Sequence, residues 1–238
     1  MVEGLTKRFG RVVAVDRLSL RVEPGEVVGL VGPNGAGKTT TLRCIVGLLS
    51  RDEGRVVIDG FDLDRERVEA LRRVGFVPDT PVFYRGLTAL EHVALSATLH
   101  GVPEGEAVEA ARRALGEVGA GDLADKRVDA LSRGQLQRVA IAAAIVHRPR
   151  LLVLDEPFNS LDVEAQWRVK RLLRRLAEEG VGVLLTSHVL PWVEDVADRL
   201  VVIHRGRKIV EGGVDEVRRA LGGSSLEEGL VRLLEGGG

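Results

Sequence analysis

The sequence has few of the features that mark exported, membrane-spanning or disulfide-bonded proteins. Its 238 residues include a single cysteine, Cys44, so no disulfide can form within the chain. No charged and apolar leader stands at the amino end. The longest apolar stretches, residues 139–146 and 151–154, are far shorter than the roughly 20 residues that span a bilayer. We therefore expect an intracellular chain that does not cross a membrane by itself.

The chain also has almost no net charge, because 34 Lys and Arg residues stand against 35 Asp and Glu residues. A formal charge of −1 gives no bulk electrostatic reason to bind nucleic acid or anionic lipid, and we expect no nucleic-acid partner. Hydrophobic residues make up 45% of the chain, enough for a full core in one large or two-lobed domain. Glycine is in excess, at 29 of 238 residues against a usual ~7%. This excess indicates many turns or a backbone that approaches a ligand closely.

The order of apolar runs and turn signals predicts an α/β fold. A continuous apolar run at 27–31 is typical of a buried parallel strand, and a glycine-rich loop and a helical pattern at 39–49 follow it. Further strands are predicted at 12–15, 18–22, 56–58 and 75–77, with a helix at 65–73.

Helices dominate the next segment, and strands then return. Thr88 and Glu91 fit a capping box at the start of a helix that stops at Gly101. Helices are also predicted at 104–118 and 133–146, strands at 151–154 and 181–186, a hairpin of 200–204 and 208–210, and a short helix from Ser225 to about Leu234. We predict one two-lobed domain: an α/β core with an N-terminal antiparallel β subdomain at 1–78 and 151–222, a helical subdomain at 79–150, and a C-terminal helix or tail at 223–238.

A phosphate-binding motif lies between the strand at 27–31 and the following helix. Residues 32–39 satisfy the pattern G-x-x-x-x-G-K-[ST] in that context, which a glycine-rich turn would rarely match by chance. Its glycines let backbone N–H groups turn around phosphate oxygens at a helix N-terminus. Lys38 can bridge the β- and γ-phosphates, and Thr39 can offer its hydroxyl to Mg²⁺. The predicted nucleotide-binding residues of this segment are Gly32, Pro33, Asn34, Gly35, Ala36, Gly37, Lys38, Thr39 and Thr40.

Two acids end the apolar strand at 151–154. Asp155 and Glu156 lie at the carboxyl end of a predicted parallel strand, where ligands of such sheets collect. We expect Asp155 to hold Mg²⁺ through water and Glu156 to polarise the attacking water. An acid that merely ends a strand is the structural alternative, but the phosphate-binding motif favours the functional interpretation.

Leu131-Ser132-Arg133-Gly134-Gln135, at the start of a predicted helix, resembles the signature of ATP-binding cassette (ABC) ATPases. With the two motifs above, the whole chain resembles the ATP-binding subunit of an ABC transporter, most of all the export-type (drug or multidrug) members. The resemblance implies a P-loop NTPase (RecA-like) core that binds ATP and Mg²⁺ and hydrolyses ATP. It also implies that Ser132, Gly134 and Gln135 close on the ATP held by a second copy. Arg133 stands where the family more often has glycine.

Four further positions follow from the same resemblance. His188 is similar to the family's switch histidine, which contacts the γ-phosphate, although a lone histidine at a strand end is often a surface residue. Residues 159–162 resemble the loop that touches the partner chain, and Asp162 also fits a helix cap. Phe9 corresponds to the aromatic residue that stacks on adenine, with a core phenylalanine as the alternative. Asp79 replaces the usual Gln or Glu, which leaves open whether position 79 contacts Mg²⁺ directly or only through water.

The resemblance implies an ATPase that powers transport, with export preferred, through ATP-driven closure of a dimer. Its partners are a second ABC ATPase subunit, identical or different, and separate transmembrane permease subunits, which would place the chain on the cytoplasmic, inner face of the cell membrane. The apolar residues Pro81, Val82, Phe83 and Tyr84 are suited to a permease contact. The alternative function is a soluble ABC ATPase that acts on a cytoplasmic assembly, such as one that builds iron–sulfur clusters. A chromosome-organising ATPase is disfavoured because no sustained heptad pattern occurs.

The remaining conspicuous residues have structural interpretations. Cys44 is expected to be a small core residue, and no zinc site is expected from the spacing of His and Cys. A basic run between Arg168 and Arg175 predicts the solvated face of a helix, with Trp167 and the neighbouring leucines packed inward.

Overall fold

A computed structural model of the chain describes residues 1–222 and 225–235. Its centre is a six-stranded sheet of β3 (Val27–Val31), β6 (Val74–Val77), β7 (Leu151–Asp155), β8 (Gly182–Thr186), β9 (Arg199–His204) and β10 (Arg207–Gly213). The strand order is β10-β9-β3-β8-β7-β6. All neighbouring strands run parallel except the β9–β10 hairpin at one edge. The predicted α/β class is confirmed.

Both faces of the six-stranded sheet are covered, because every residue of β3 and β8 is buried. Successive residues of a strand point to opposite faces. Val27 and Val31 accordingly enter one hydrophobic core with residues of the helical segment, such as Ile141. Val28 packs into a second core together with the N-terminal sheet, for example with Leu5. Cys44 belongs to this second core and is fully buried, as predicted.

The N-terminal part forms a separate antiparallel sheet in the order β2-β1-β4-β5. Its strands are β1 (Val2–Phe9), β2 (Val12–Leu20), β4 (Glu53–Ile58) and β5 (Phe61–Asp62). The prediction of two strands at 12–15 and 18–22 is wrong, since β2 runs through both, and β1 was not predicted. Arg17 has a φ of 50°, and its N–H donates to the Thr6 hydroxyl at 3.2 Å. The backbone is therefore irregular at this residue, although β2 continues through it as one strand.

Helices flank both sheets. They are α1 (Lys38–Ile45), α2 (Arg67–Leu71), α3 (Ala89–Leu99), α4 (Glu104–Glu117), α5 (Arg133–Ile145), α6 (Val163–Glu178), α7 (Leu190–Glu194), α8 (Val214–Ala220) and α9 (Leu226–Glu235). The predicted capping box at Thr88 and Glu91 is present, with both hydrogen bonds formed. Helix α1 is shorter than the predicted 39–49, because Gly47, with a φ of 68°, follows its last turn. Of the predicted tail at 223–238, residues 223, 224 and 236–238 lie outside the described residues.

Trp167 corrects one expectation about α6. Leu172, Leu173 and Leu176 are buried as predicted, but the Trp167 side chain is 55% exposed. Its ring lies under the guanidinium of Arg171, 4.6 Å from the ring centroid. Helical geometry explains the error, because position 167 is two residues from the buried Val169 and so faces the opposite side of the helix.

Within the described residues, no helix combines the length and the apolar character that a membrane span requires.

Candidate active site

The glycine-rich loop between β3 and α1 is shaped by close backbone approaches. A Cβ atom at Gly32 would lie 2.1 Å from the carbonyl oxygen of Ile203, and one at Gly37 would lie 2.4 Å from that of Ala14. Gly37 also has a φ of 105° and precedes α1 without a side-chain cap. Because glycine has no side chain, Gly37 cannot accept hydrogen bonds from the first N–H groups of α1. These N–H groups can therefore donate to an anion.

Lys38 projects into the loop that precedes it. Its ammonium nitrogen Nζ donates to the carbonyl oxygens of Gly32, at 2.7 Å, and Pro33, at 3.1 Å. The side chain is buried, and burial lowers the pKa of Lys38, while the negative charges of Glu156 and Asp155 act in the opposite direction. A buried ammonium whose hydrogen bonds go to neutral carbonyl oxygens would gain from a phosphate placed beside it.

A cavity of about 370 Å³ opens in front of this loop. It is lined by Ala14, Asn34, Gly35, Ala36, Gly37, Lys38, Thr39, Thr40, Asp79, Glu156, Asn159 and His188. The fold thus gathers Asp79, Glu156 and His188, which are far apart in the sequence, around the loop. The size and the convergence of charged groups are typical of a small-molecule site. Ala14 and Asn159 were not predicted to line it.

Asp155 and Glu156 are held in different ways at the end of β7. The Asp155 carboxylate is buried, and its Oδ1 accepts a hydrogen bond of 2.6 Å from the Thr186 hydroxyl. Glu156 Oε2 accepts from the backbone N–H of His188 at 3.2 Å, and His188 Nδ1 lies 2.9 Å from the same oxygen. The carboxylate therefore favours the imidazole tautomer that carries the proton on Nδ1. The structure brings the second acid and the predicted switch histidine into direct contact.

Asp79 and Phe9 occupy the periphery of the site. Asp79 Oδ1 accepts from the side-chain amide of Asn159 at 3.4 Å, so the strand end at β6 is linked to the loop after β7. Phe9, at the end of β1, is 51% exposed, and the Lys7 ammonium lies 5.4 Å from its ring centroid. This exposure excludes the alternative that Phe9 is a core residue.

The predicted signature residues do not line the cavity. Ser132 caps α5 in a capping box with Gln135, whose side-chain oxygen accepts from the Ser132 N–H at 2.9 Å. A Cβ atom at Gly134 would lie 2.5 Å from the carbonyl oxygen of Ser160, so the signature packs against the loop after Glu156. Buried Gln137 adds a hydrogen bond of 3.2 Å from its amide to the Pro157 carbonyl. That contact was not predicted, although a polar residue among the apolar residues of α5 indicates that a buried hydrogen bond is formed there.

Comparison with known proteins identifies the family. The sequence model of ABC transporters matches residues 15–159, which is more than half of the chain. This chain belongs to the ABC transporter family. It is 40% identical over 206 residues to an uncharacterised ABC transporter ATP-binding protein, YdbJ, of Bacillus subtilis, covering 86% of this chain and 66% of that protein. It is 34% identical over 224 residues to the linearmycin resistance ATP-binding protein LnrL of the same species, covering 94% of this chain and 72% of that one. The chain thus spans about two thirds of the length of these relatives.

Solved structures of ABC ATP-binding subunits share the fold. One, described as an ATP binding subunit of an ABC transporter, superimposes with a TM-score of 0.90 at 33% identity and covers 98% of both chains. Another, at 28% identity and a TM-score of 0.82, covers 89% of this ABC chain and 97% of its own. It is the ATP-binding cassette MJ0796, a dimer in a post-hydrolysis state bound to ADP and Pi. ATP binding and hydrolysis are therefore activities of the family to which this ABC chain belongs.

Proposed function

We propose that this ABC chain is the ATP-hydrolysing subunit of an export-type transporter whose membrane-spanning permease is a separate polypeptide. The observation that carries the ATPase part is the cavity in which the phosphate-binding loop, Glu156, His188 and Asp79 meet. The export part is supported by the name of the relative LnrL, which confers linearmycin resistance. A soluble ATPase that acts on a cytoplasmic assembly is not favoured by any of the compared proteins.

Hydrolysis in this proposal uses Glu156 as the general base. Its carboxylate takes a proton from water, the water oxygen bonds to the γ-phosphorus, and the bond to the β–γ bridging oxygen breaks to release ADP. His188 holds the carboxylate through its backbone N–H and its ring Nδ1, and in this proposal its second ring nitrogen, Nε2, faces the γ-phosphate. Lys38 and the backbone N–H groups of the loop neutralise the phosphate charge as it develops. Phe9 offers its exposed ring to the adenine base.

The donor set fits Mg²⁺. This ion takes oxygen ligands, keeps several waters, and is usually held by one or two carboxylates together with substrate phosphates. Thr39 provides a hydroxyl and Asp155 a carboxylate. Thr186 donates to Oδ1 of Asp155, so Oδ2 is the oxygen left for the ion. Phosphate oxygens and waters would complete the coordination, as is usual for Mg²⁺ in nucleotide sites. Bound there, Mg²⁺ would supply charge neutralisation at the β- and γ-phosphates.

Variants of Asp79 test how much its carboxylate contributes to Mg²⁺ binding. If Asp79 accepts from a water of Mg²⁺, Asp79→Asn should raise the Mg²⁺ concentration for half-maximal hydrolysis by about tenfold, the usual size of an outer-shell effect. Asp79→Gln restores the residue that the family usually has, so its Mg²⁺ dependence should stay within about threefold of the wild-type value. The exposed Asp125→Asn is the control. An unchanged Mg²⁺ dependence in Asp79→Asn would restrict this residue to its hydrogen bond with Asn159.

The signature is proposed to serve a second copy of the chain. Ser132 and Arg133 are exposed, and neither contacts the cavity of the same chain. The N-terminus of α5, with Ser132, Gly134 and Gln135, would close on the nucleotide of the partner. The solved MJ0796 cassette is dimeric, which supports this arrangement. We further propose that 1–78 and 151–222 act as the nucleotide-binding lobe, 79–150 as the signature lobe, and 223–238 as a short C-terminal helix or tail.

A groove of about 710 Å³ is the proposed permease contact, which would hold the chain at the cytoplasmic face of a membrane. Its walls include Pro81, Val82 and Phe83, whereas Tyr84 lies outside it beside His92. Val82 is 86% exposed and so offers apolar surface to a partner. His92 of α3 lines the groove, and burial lowers its pKa, which favours the uncharged imidazole at that position.

Charge placed in this groove tests the transporter assignment. We expect Val82→Glu to reduce the membrane-bound fraction of the tagged chain in its source cells at least tenfold, because the carboxylate would lose its water on docking. ATP hydrolysis by the isolated chain should stay within about twofold. Val108→Glu, at an exposed valine of α4, is the matched control. Equal membrane retention of the two variants would contradict a permease at this groove.

A further inference from the structure

Thr186 occupies a special place beside the two acids. It is the last residue of β8, pairs with Asp155 in the parallel register of β7, and has no exposed surface. A threonine fits a strand, but a hydroxyl in such a buried position requires hydrogen-bond partners. None of the sequence motifs assigns a role to this hydroxyl.

The Thr186 hydroxyl bonds to both acids at once. It donates to Asp155 Oδ1 at 2.6 Å, a length typical of a hydrogen bond to a charged acceptor. The same oxygen accepts from the backbone N–H of Glu156 at 3.1 Å. Because a hydroxyl has a single proton, donation to Asp155 leaves its lone pairs for the Glu156 N–H. One atom therefore fixes the carboxylate of the first acid and the backbone of the second.

The backbone of Glu156 needs such support. Its φ of 53° is in the left-handed region, which residues other than glycine rarely adopt. Without the hydroxyl, the Glu156 N–H would lose its acceptor, and the residue could relax toward ordinary strand geometry. The carboxylate would then move relative to His188, which bonds to it from the other side. Residues in uncommon conformations persist where neighbouring groups hold them, and such residues cluster at functional sites.

We propose that Thr186 is a positioning residue for ATP hydrolysis, and this inference rests on the proposed function. Its hydroxyl occupies Oδ1 of Asp155 and so leaves Oδ2 for the hydrated Mg²⁺, while its bond to the Glu156 N–H aims the general base at the attacking water. The effect reaches the substrate only through the two acids. Loss of the hydroxyl should therefore impair Mg²⁺ binding and turnover more than ATP affinity.

Thr186→Val removes the hydroxyl and keeps the branched shape, and Thr186→Ser keeps the hydroxyl. We expect the valine variant to lower kcat between 10- and 100-fold, with KM for ATP within about threefold, since outer-shell partners of metal ligands have effects of this size. In the absence of turnover, the Mg²⁺ concentration that half-saturates binding of a fluorescent ATP analogue should rise by about tenfold. The serine variant should keep both kcat and the half-saturating Mg²⁺ concentration within about threefold of the wild-type values. Thr98→Val is the control, because the Thr98 hydroxyl bonds only within α3.

Three results would overturn the proposal. The first is a valine variant with wild-type kcat and Mg²⁺ binding. The second is a valine variant whose losses follow a lowered melting temperature and are not restored by Thr186→Ser, which would indicate a structural role only. The third is an increase in KM alone. Absence of ATP hydrolysis in the wild-type chain would contradict the proposed function instead, and the Mg²⁺ binding measurement would still decide between Thr186 as a positioning residue and as a packing residue.

Discussion

Replacement of Glu156 by Gln is expected to lower ATP turnover at least 100-fold while ATP still binds. The amide has nearly the shape of the carboxylate but cannot accept a proton from water, and general bases contribute about 10²- to 10⁴-fold to rates. The phosphate-binding loop, Lys38 and Thr39 are untouched by this change, so nucleotide affinity should remain within about threefold. The hydrogen bond from the His188 N–H can be retained, because the glutamine side-chain oxygen is also an acceptor.

Phosphate release and equilibrium binding of ATP measure the two halves of this prediction. The control is Glu178→Gln, an exposed glutamate near the end of α6, which should hydrolyse ATP at the wild-type rate. Turnover of the Glu156→Gln variant within twofold of the wild-type rate would exclude Glu156 as the base. Equal losses of binding and turnover would instead place Glu156 among the nucleotide-binding groups.

Lys38→Ala is expected to weaken ATP binding at least 100-fold. The Lys38 ammonium is buried among loop carbonyls, and a charge-assisted contact with phosphate in such a place is stronger than one in water. The variant should nevertheless fold. The substitution removes the desolvation cost of a buried charge but also two hydrogen bonds to the Gly32 and Pro33 carbonyls. Because these effects oppose each other, the melting temperature should stay within about 5 °C of the wild-type value.

This combination separates a binding role from a folding role. Isothermal titration with ATP and thermal unfolding would be measured on the same preparation, with the exposed Lys126→Ala as the control. Loss of ATP binding together with a sharply lower melting temperature would mean that Lys38 supports the fold. Unchanged ATP affinity would contradict the phosphate-binding role directly.

Local patterns in the sequence predict the parts of this molecule that depend on neighbours along the chain. The motif of the phosphate-binding loop, the capping box at Thr88 and the antiparallel pair β9–β10 each depend on residues only a few positions apart. Such features follow from backbone conformation and local hydrogen bonds, which a single segment already determines.

Contacts between distant segments could not be predicted from local sequence patterns. Asn159 meets Asp79, and Thr186 meets Asp155, only because the parallel sheet places their strand ends side by side. The pairing of β1 likewise depends on β2 and β4, since its own sequence mixes polar and apolar residues. Trp167 is a different kind of error, because helical periodicity already indicated its exposed position.

In the proposed dimer, ATP is bound by the cavity of one chain and enclosed by the signature of another. Sedimentation of the Glu156→Gln variant with ATP and Mg²⁺ measures this enclosure, because bound ATP persists when hydrolysis is blocked. We expect a species of twice the chain mass of 25.7 kDa with ATP, and a monomer without nucleotide or when Lys38→Ala is added. A variant that remains monomeric although ATP is bound would mean that no second chain encloses the nucleotide.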